Sequence, residues 1–383
     1  MSVRFETFSR VEDIDKHMWN RLAADASPLM DWEYLYALEK SGSVSEEGGY
    51  RPFHIVAYWD EEPIAIAPLY IRDRAWVEFG DGGLLEFLTE LTGIPYHVGV
   101  LGTVPFTPVP GYQFLHSKGI ATFKIYKQIL QYIDFFCSSK GFATSRIYFL
   151  SDSTLEMRSL FVGNGYIAIK NKYYLWFNRN FRTFDDYLLS FKSSRRTKIK
   201  RELRTVRQQD IEIRMIPGTE VPESYYEEMY DLYLQTWIKH MGRDIRPFLN
   251  RDFFQLLEKN FRHRCSFSVA TQSGKKLAMA LFYYKGSTLY GRYWGCYEEI
   301  PFLHFATCYY YPIEYAIREG YAMMDPGFGG EHKLIRGYEV VPVYHYIKFH
   351  GKKQREVAET VMQKLRAHYT LPFESLEDGQ KSP

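Results

Sequence analysis

Two stretches of the chain share one pattern of apolar and polar positions. Ile55-Val-Ala-Tyr-Trp and Ile64-Ala-Ile-Ala-Pro-Leu-Tyr70 flank an acidic break, and Phe267-Ser-Val-Ala-Thr and Leu277-Ala-Met-Ala-Leu-Phe282 flank a break containing Gly274. Short apolar runs around a turn predict a β-hairpin in each place. Downstream of each hairpin the spacing predicts a helix and then a strand: about 119–139 followed by Ser145–Leu150, and about 303–319 followed by Tyr321–Asp325. Each series closes on a Gly-Tyr pair that opens an aromatic strand, Gly165–Phe177 and Gly337–Phe349. An insert, about 73–118, lengthens the first series and ends in Val104-Pro-Phe-Thr-Pro-Val-Pro110. One order of elements used twice predicts two mixed α/β domains, 1–177 and 178–372, with 373–383 as a polar tail. Asp185 and Asp186 suit a helix entry just after the boundary, and Lys352–Tyr369 reads as a terminal helix with Val357, Val361, Leu365 and His368 on one face.

Composition narrows the picture. The chain has 383 residues, enough for two ordinary cores, and a net charge of only +2, so no global field points to nucleic acid. The 32 tyrosines and 28 phenylalanines suit a strand-rich core finished with Tyr, or aromatic-lined grooves. Four cysteines, Cys137, Cys265, Cys296 and Cys308, show no CxxC spacing, which suggests buried thiols in a reducing compartment. The N-terminus has no apolar signal-like run and no later segment reaches membrane-spanning length, so a cytoplasmic protein is expected. No HxH, HExxH, GxSxG or P-loop pattern occurs, and no metal is expected.

Charge is concentrated locally. Phe191–Arg207 holds eight Lys or Arg in seventeen positions, with Phe191, Ile199, Leu203 and Val206 near one helical face. Glu202 is the single acid, so the i,i+4 partners of an ordinary solvated helix are scarce. Two readings stand: a solvated face, or contact of Arg195, Arg196, Lys198, Lys200 and Arg201 with a polyanion.

Residues 289–350 gather most of the candidate chemistry: Arg292-Tyr293-Trp294-Gly295, His304, Glu314, Asp325-Pro-Gly327, Gly330-Glu331-His332-Lys333 and Arg336-Gly337-Tyr338. A Gly-rich turn lets backbone N–H groups approach a ligand, with charged side chains beside them. His332 has a structural reading, hydrogen-bonded to backbone, and a functional one as general base with Glu331 setting its tautomer. Lys333 and Arg336 are candidates to receive an oxyanion, and Arg292, Tyr293, Trp294 and His304 to line the substrate site. His304 and Glu314 lie ten residues apart, about 80° off a shared helical face, and Glu314 reads as structural.

These residues in this order, with Val104–Val109 and the Ser-Arg-Arg segment upstream, resemble the FemAB-like family of predicted acyltransferases, within the GNAT superfamily and associated with peptidoglycan biosynthesis or recognition. The resemblance spans roughly residues 27–370 and implies tandem GNAT-like domains of FemAB type. It also implies transfer of an acyl or aminoacyl group to a small-molecule or peptide amine, with aminoacyl-tRNA or acyl-CoA as co-substrate. Family members carry a similar basic helix and basic residues ahead of a Gly-aromatic pair, which maps onto Arg336. The stretch where GNAT enzymes hold a pyrophosphate, Tyr293–His304, has one Gly and two acids, Glu298 and Glu299, which favours tRNA over coenzyme A. Ala306 stands where the family often has an acid, and Tyr311 where Gln is commoner. A coenzyme-A-dependent enzyme and an inactive binding protein therefore remain as alternatives.

Overall fold

The computed structural model describes residues 3–73, 79–117, 122–152 and 154–368. The chain forms two compact units, one of residues 1–172 with 342–383 and one of Tyr173–Val341. Both Gly-Tyr strands change unit along their length: Ile167–Phe177 leaves the first unit at Tyr173, and Glu339–Phe349 leaves the second at Pro342. A linear cut at 177/178 follows the repeat in the sequence. The tertiary contacts instead return the last strand and the terminal helix, Lys352–His368, to the first unit. Tyr369 and the side chains of Leu365 and His368 fall outside the described residues.

In the first unit, His54–Trp59 and Glu62–Ala67 form the predicted hairpin, turning on Asp60 and Glu61, both in the left-handed region. Arg4–Phe8 and Leu115–His116 complete its four-stranded sheet. A second layer runs Tyr50–Pro52, Tyr70–Arg72, Gly99–Gly102, Thr144–Ile147 and the end of Glu339–Phe349. The helix expected at about 119–139 is described from Thr122 to Lys140, with Ile125, Ile129, Leu130 and Ile133 buried. The insert contributes a helix, Leu84–Thr92, and the strand Gly99–Gly102.

In the second unit the sheet runs Ile211–Pro217, Cys265–Gln272, Lys275–Lys285, Thr288–Cys296, Met323–Asp325 and the end of Ile167–Phe177. The hairpin turns on Ser273 and Gly274, again both left-handed. Thr183 and Asp186 form a reciprocal cap on the helix Phe184–Leu189, as the paired aspartates suggest. The basic helix is Ser193–Arg207, and its apolar side, Ile199, Leu203 and Val206, is buried with Trp176, Tyr187, Ile313 and Ala316. Burying each of those three side chains contributes roughly 1.5–3 kcal/mol, which fixes the rotation of the helix and leaves its cations outside.

Two features position the site. Thr288–Cys296 pairs in parallel with Met323–Asp325 only through Thr288–Tyr290, so the edge from Gly291 onward is unpaired on that side. The opposite pairing slips between Leu281 and Phe282, which face Tyr293 and Gly291, making Arg292 the extra residue of a β-bulge. Bulges of this kind re-aim a side chain and recur beside active sites.

Candidate functional site

Every predicted site residue lies in the second unit. The helix that follows the bulged strand is not uniform. It opens with Leu303–Phe305, widens into a π-turn over Ala306–Tyr310, and continues as Tyr311–Arg318. Pro312 has no N–H to offer the carbonyl four residues back, which accounts for the irregular winding at this point. Phe302 ahead of it adopts φ 67°, a costly conformation for an aromatic residue. The π-turn presents Tyr309, whose ring meets His304 at 5.4 Å, Tyr338 at 5.7 Å and His332 at 5.8 Å. The Tyr309 hydroxyl lies 3.1 Å from His332 Nε2. Trp294 packs on His304 at 5.0 Å. Strand, helix and Gly-rich turn thus converge on two imidazoles and a phenol.

Both histidines are held neutral. Burial first, and then the charges of His332, Arg336 and Lys333, depress His304 to about 4. Burial, with Lys333 and Arg336, also lowers His332. Burial raises the Tyr309 phenol, which therefore stays protonated. His332 is a neutral acceptor on the solvent side of a fixed O–H donor, the state a general base requires.

The structure corrects three readings of the Gly-Glu-His-Lys turn. Glu331 is exposed and forms no hydrogen bond or ion pair with His332; the partner of His332 is Tyr309. Lys333 and Arg336 are buried rather than presented to a ligand. Glu331–Arg336 is a 3-10 helix, and three residues per turn place 333 and 336 on one side, facing inward. Lys333 Nζ donates to the Gly327 carbonyl at 2.5 Å, and burial, opposed by Asp325, lowers it to about 8. Asp325 accepts from Tyr173 Oη at 2.6 Å and from the Gly327 N–H at 2.8 Å, and burial raises it. Gly327 sits at φ 79° with the Gly291 carbonyl 2.9 Å from where a Cβ would be, so only glycine fits. Arg336 donates from Nη1 to the His332 carbonyl at 2.8 Å and from Nη2 to Glu202 at 3.2 Å, and its face lies 3.5 Å above Phe305. Glu202 also accepts from Tyr310 Oη at 2.6 Å. Arg336 is therefore a brace for the backbone that bears His332.

Glu202 and Tyr309 are functional candidates that sequence reasoning missed. The signal for Glu202 was present: a lone acid on the inward side of a basic helix is not there for solubility. Tyr309 had no local signal, because the π-turn decides where it points.

The rest of the basic helix is free. Arg195, Arg196, Lys198, Lys200, Arg201 and Arg204 make no ion pair among the described residues. Lys200, Arg204 and Arg207 line a groove of about 540 Å³, floored by Phe184, Leu188 and Leu203, with Asp185 and Glu314 at its sides. Glu314, read as structural, belongs to that groove. Glu298 pairs with Lys275 at 2.9 Å and Glu299 with Lys239, so the two acids expected to repel a pyrophosphate are each balanced by a lysine. Among the described residues no cluster of His, Cys, Asp or Glu is placed to hold a metal ion, and no helix is long and apolar enough to cross a membrane.

The fold resembles several solved structures. The C-terminal domain of a putative lysylphosphatidylglycerol synthetase from Agrobacterium fabrum matches with TM-score 0.53 at 10% identity, covering 91% of this chain and 95% of that one. FemX matches with TM-score 0.53 at 11% identity, covering 92% and 99%. A conserved protein of unknown function from Bacteroides thetaiotaomicron matches with TM-score 0.52 at 11% identity, covering 91% and 100%. These likenesses show the fold, the mixed α/β tandem GNAT arrangement of FemAB type. No curated protein matches the sequence. The FemAB-like family model, described as peptidoglycan biosynthesis/recognition, matches residues 10–380, and the chain belongs to that family of N-acyltransferases.

Proposed function

We propose that this protein is an N-acyltransferase that moves an aminoacyl or acyl group from an activated donor, aminoacyl-tRNA in the favoured reading, to an amine. The observation that carries the reading is the neutral His332 held 3.1 Å from the Tyr309 hydroxyl, beside an equally neutral His304. An attacking amine must shed a proton as the new C–N bond forms. In the proposed step the Tyr309 oxygen takes that proton while passing its own to His332 Nε2. The leaving oxygen of the donor is then protonated from the same pair. Lys333 and Arg336 act without touching the substrate: their buried charges disfavour a cation at His304, and by the same field they favour a developing oxyanion. Trp294, Tyr293 and Arg292 on the bulged edge would line the acyl site.

The unpaired cations of Ser193–Arg207 and the groove beside them support a polyanionic donor. The family description supports a peptidoglycan precursor as the acceptor class. A coenzyme-A donor is the second reading, favoured by the neutralisation of Glu298 and Glu299. Incubation with radiolabelled aminoacyl-tRNA and with radiolabelled acetyl-CoA separates the two, since only the true donor binds saturably and loses label to an added amine. His332→Gln should retain donor binding and lose turnover. Full turnover in that variant would sink the assignment of His332, and saturable donor binding without transfer to any amine would return the protein to a recognition role.

A further inference from the structure

The short helix Glu331–Arg336 is inside out. Lys333 and Arg336 are 1% and 2% exposed, whereas Leu334 and Ile335 between them are 40% and 39% exposed. The same threefold winding that turns the two cations inward turns the two aliphatic side chains outward. Phe328, ahead of the helix, is 62% exposed, and Val340, just after it, 48%. Four large apolar side chains facing solvent on one loop are more than scattered surface hydrophobes, and such rims mark docking surfaces.

The surroundings of the rim are cationic. Gly337, closing the helix, lies against Phe191 and Tyr187, which brings the exposed Lys192 to its end. The bidentate pair of Arg179 with Glu339, at 2.9 and 2.6 Å, brings the segment holding the exposed Arg182 beside Val340. Neither Lys192 nor Arg182 makes an ion pair among the described residues.

We propose that this rim docks the protein on an anionic lipid surface. Phe328, Leu334, Ile335 and Val340 enter the boundary between headgroups and acyl chains, and Arg182 and Lys192 meet lipid phosphates. A few protruding apolar tips flanked by unpaired cations match the layered chemistry of a bilayer surface. A protein partner with a continuous apolar face would leave the two cations unanswered. The proposal is independent of the catalytic reading, since it invokes no reaction.

The test is co-sedimentation of the full chain with vesicles of mixed phosphatidylglycerol and phosphatidylcholine, and with vesicles of phosphatidylcholine alone. Binding is expected to the mixed vesicles and to be weaker by about tenfold or more without the anionic lipid. Leu334→Ser with Ile335→Ser should lower partitioning by roughly tenfold, because two exposed apolar tips no longer insert. Both positions are exposed, so the fold is expected to tolerate the change. Leu334→Trp gives a second readout, a blue shift of its emission on adding mixed vesicles. Absence of co-sedimentation, partitioning unchanged by the double substitution, or an unshifted Leu334→Trp emission would overturn the proposal. So would concentration-dependent self-association that the double substitution abolishes, which would make the rim a contact between copies.

Discussion

Replacing Glu202 by Ala removes the carboxylate that balances Arg336 and accepts from Tyr310. The two side chains of the pair are 12% and 3% exposed, so it is a buried ion pair, and breaking one from a single side leaves a buried charge uncompensated. Such losses cost about 3–5 kcal/mol. Here Arg336 keeps the His332 carbonyl and the Phe305 face, which favours the low end, about 3 kcal/mol, with about 1 kcal/mol more for the orphaned Tyr310 hydroxyl. For a unit of this size that corresponds to a fall of roughly 6–15 °C in its melting transition. Calorimetry on the full chain reads the shift, and the double variant Glu202→Leu with Arg336→Met supplies the control. Because both charges leave together, the double variant should recover most of the loss, giving a coupling energy well above the ~0.5 kcal/mol of independent sites. A Glu202→Ala variant that melts within about 2 °C of the parent, or a double variant whose loss is the sum of the singles, would refute the brace.

The other expectations are brief. Tyr309→Phe should lower kcat about 10–100-fold with donor affinity unchanged, since it removes the proposed relay and leaves the ring packing; steady-state kinetics decide it. Gly337→Ala should cost at least about 2 kcal/mol, because φ is +82° and a Cβ would meet Phe191 at 2.9 Å; denaturant midpoints measure this. Replacing Arg195, Arg196 and Lys200 together by Gln should weaken tRNA binding and flatten its salt dependence, whereas an unchanged slope would leave the helix a solvated face. His345, fully buried in the first unit, is lowered to about 3 by burial, and its Nδ1 accepts the Phe149 N–H at 3.0 Å. The unfolded chain binds the proton first, so stability from this group is complete above about pH 6.5 and is lost as pH falls toward 3, on the order of 3–5 kcal/mol. An acid titration of the melting temperature, compared with His345→Gln, checks the sign.

The sequence by itself determined what depends on near neighbours. Period-two runs around Asp60-Glu61 and Ser273-Gly274 gave both hairpins, because a two-residue turn and its flanking strands are one local unit. The spacing of Ile199, Leu203 and Val206 fixed which side of the basic helix is buried, and the paired aspartates gave the cap at Thr183. The family resemblance, legible in the Gly-Glu-His-Lys and Arg-Gly-Tyr motifs, gave the fold. What only the tertiary structure decided is where those motifs point. Tight winding sent Lys333 and Arg336 inward and Leu334 and Ile335 outward, the reverse of what their polarity suggests, and this is stable only because Gly327, His332 and Glu202 supply acceptors from other parts of the chain. Glu202 and Arg336 are 134 residues apart and Tyr309 and His332 are 23 apart, so no local pattern could pair them. The same holds for the strands that leave one unit for the other at Tyr173 and Pro342: periodicity specifies a strand, and only competition among distant edges for its backbone hydrogen bonds specifies the unit in which it ends.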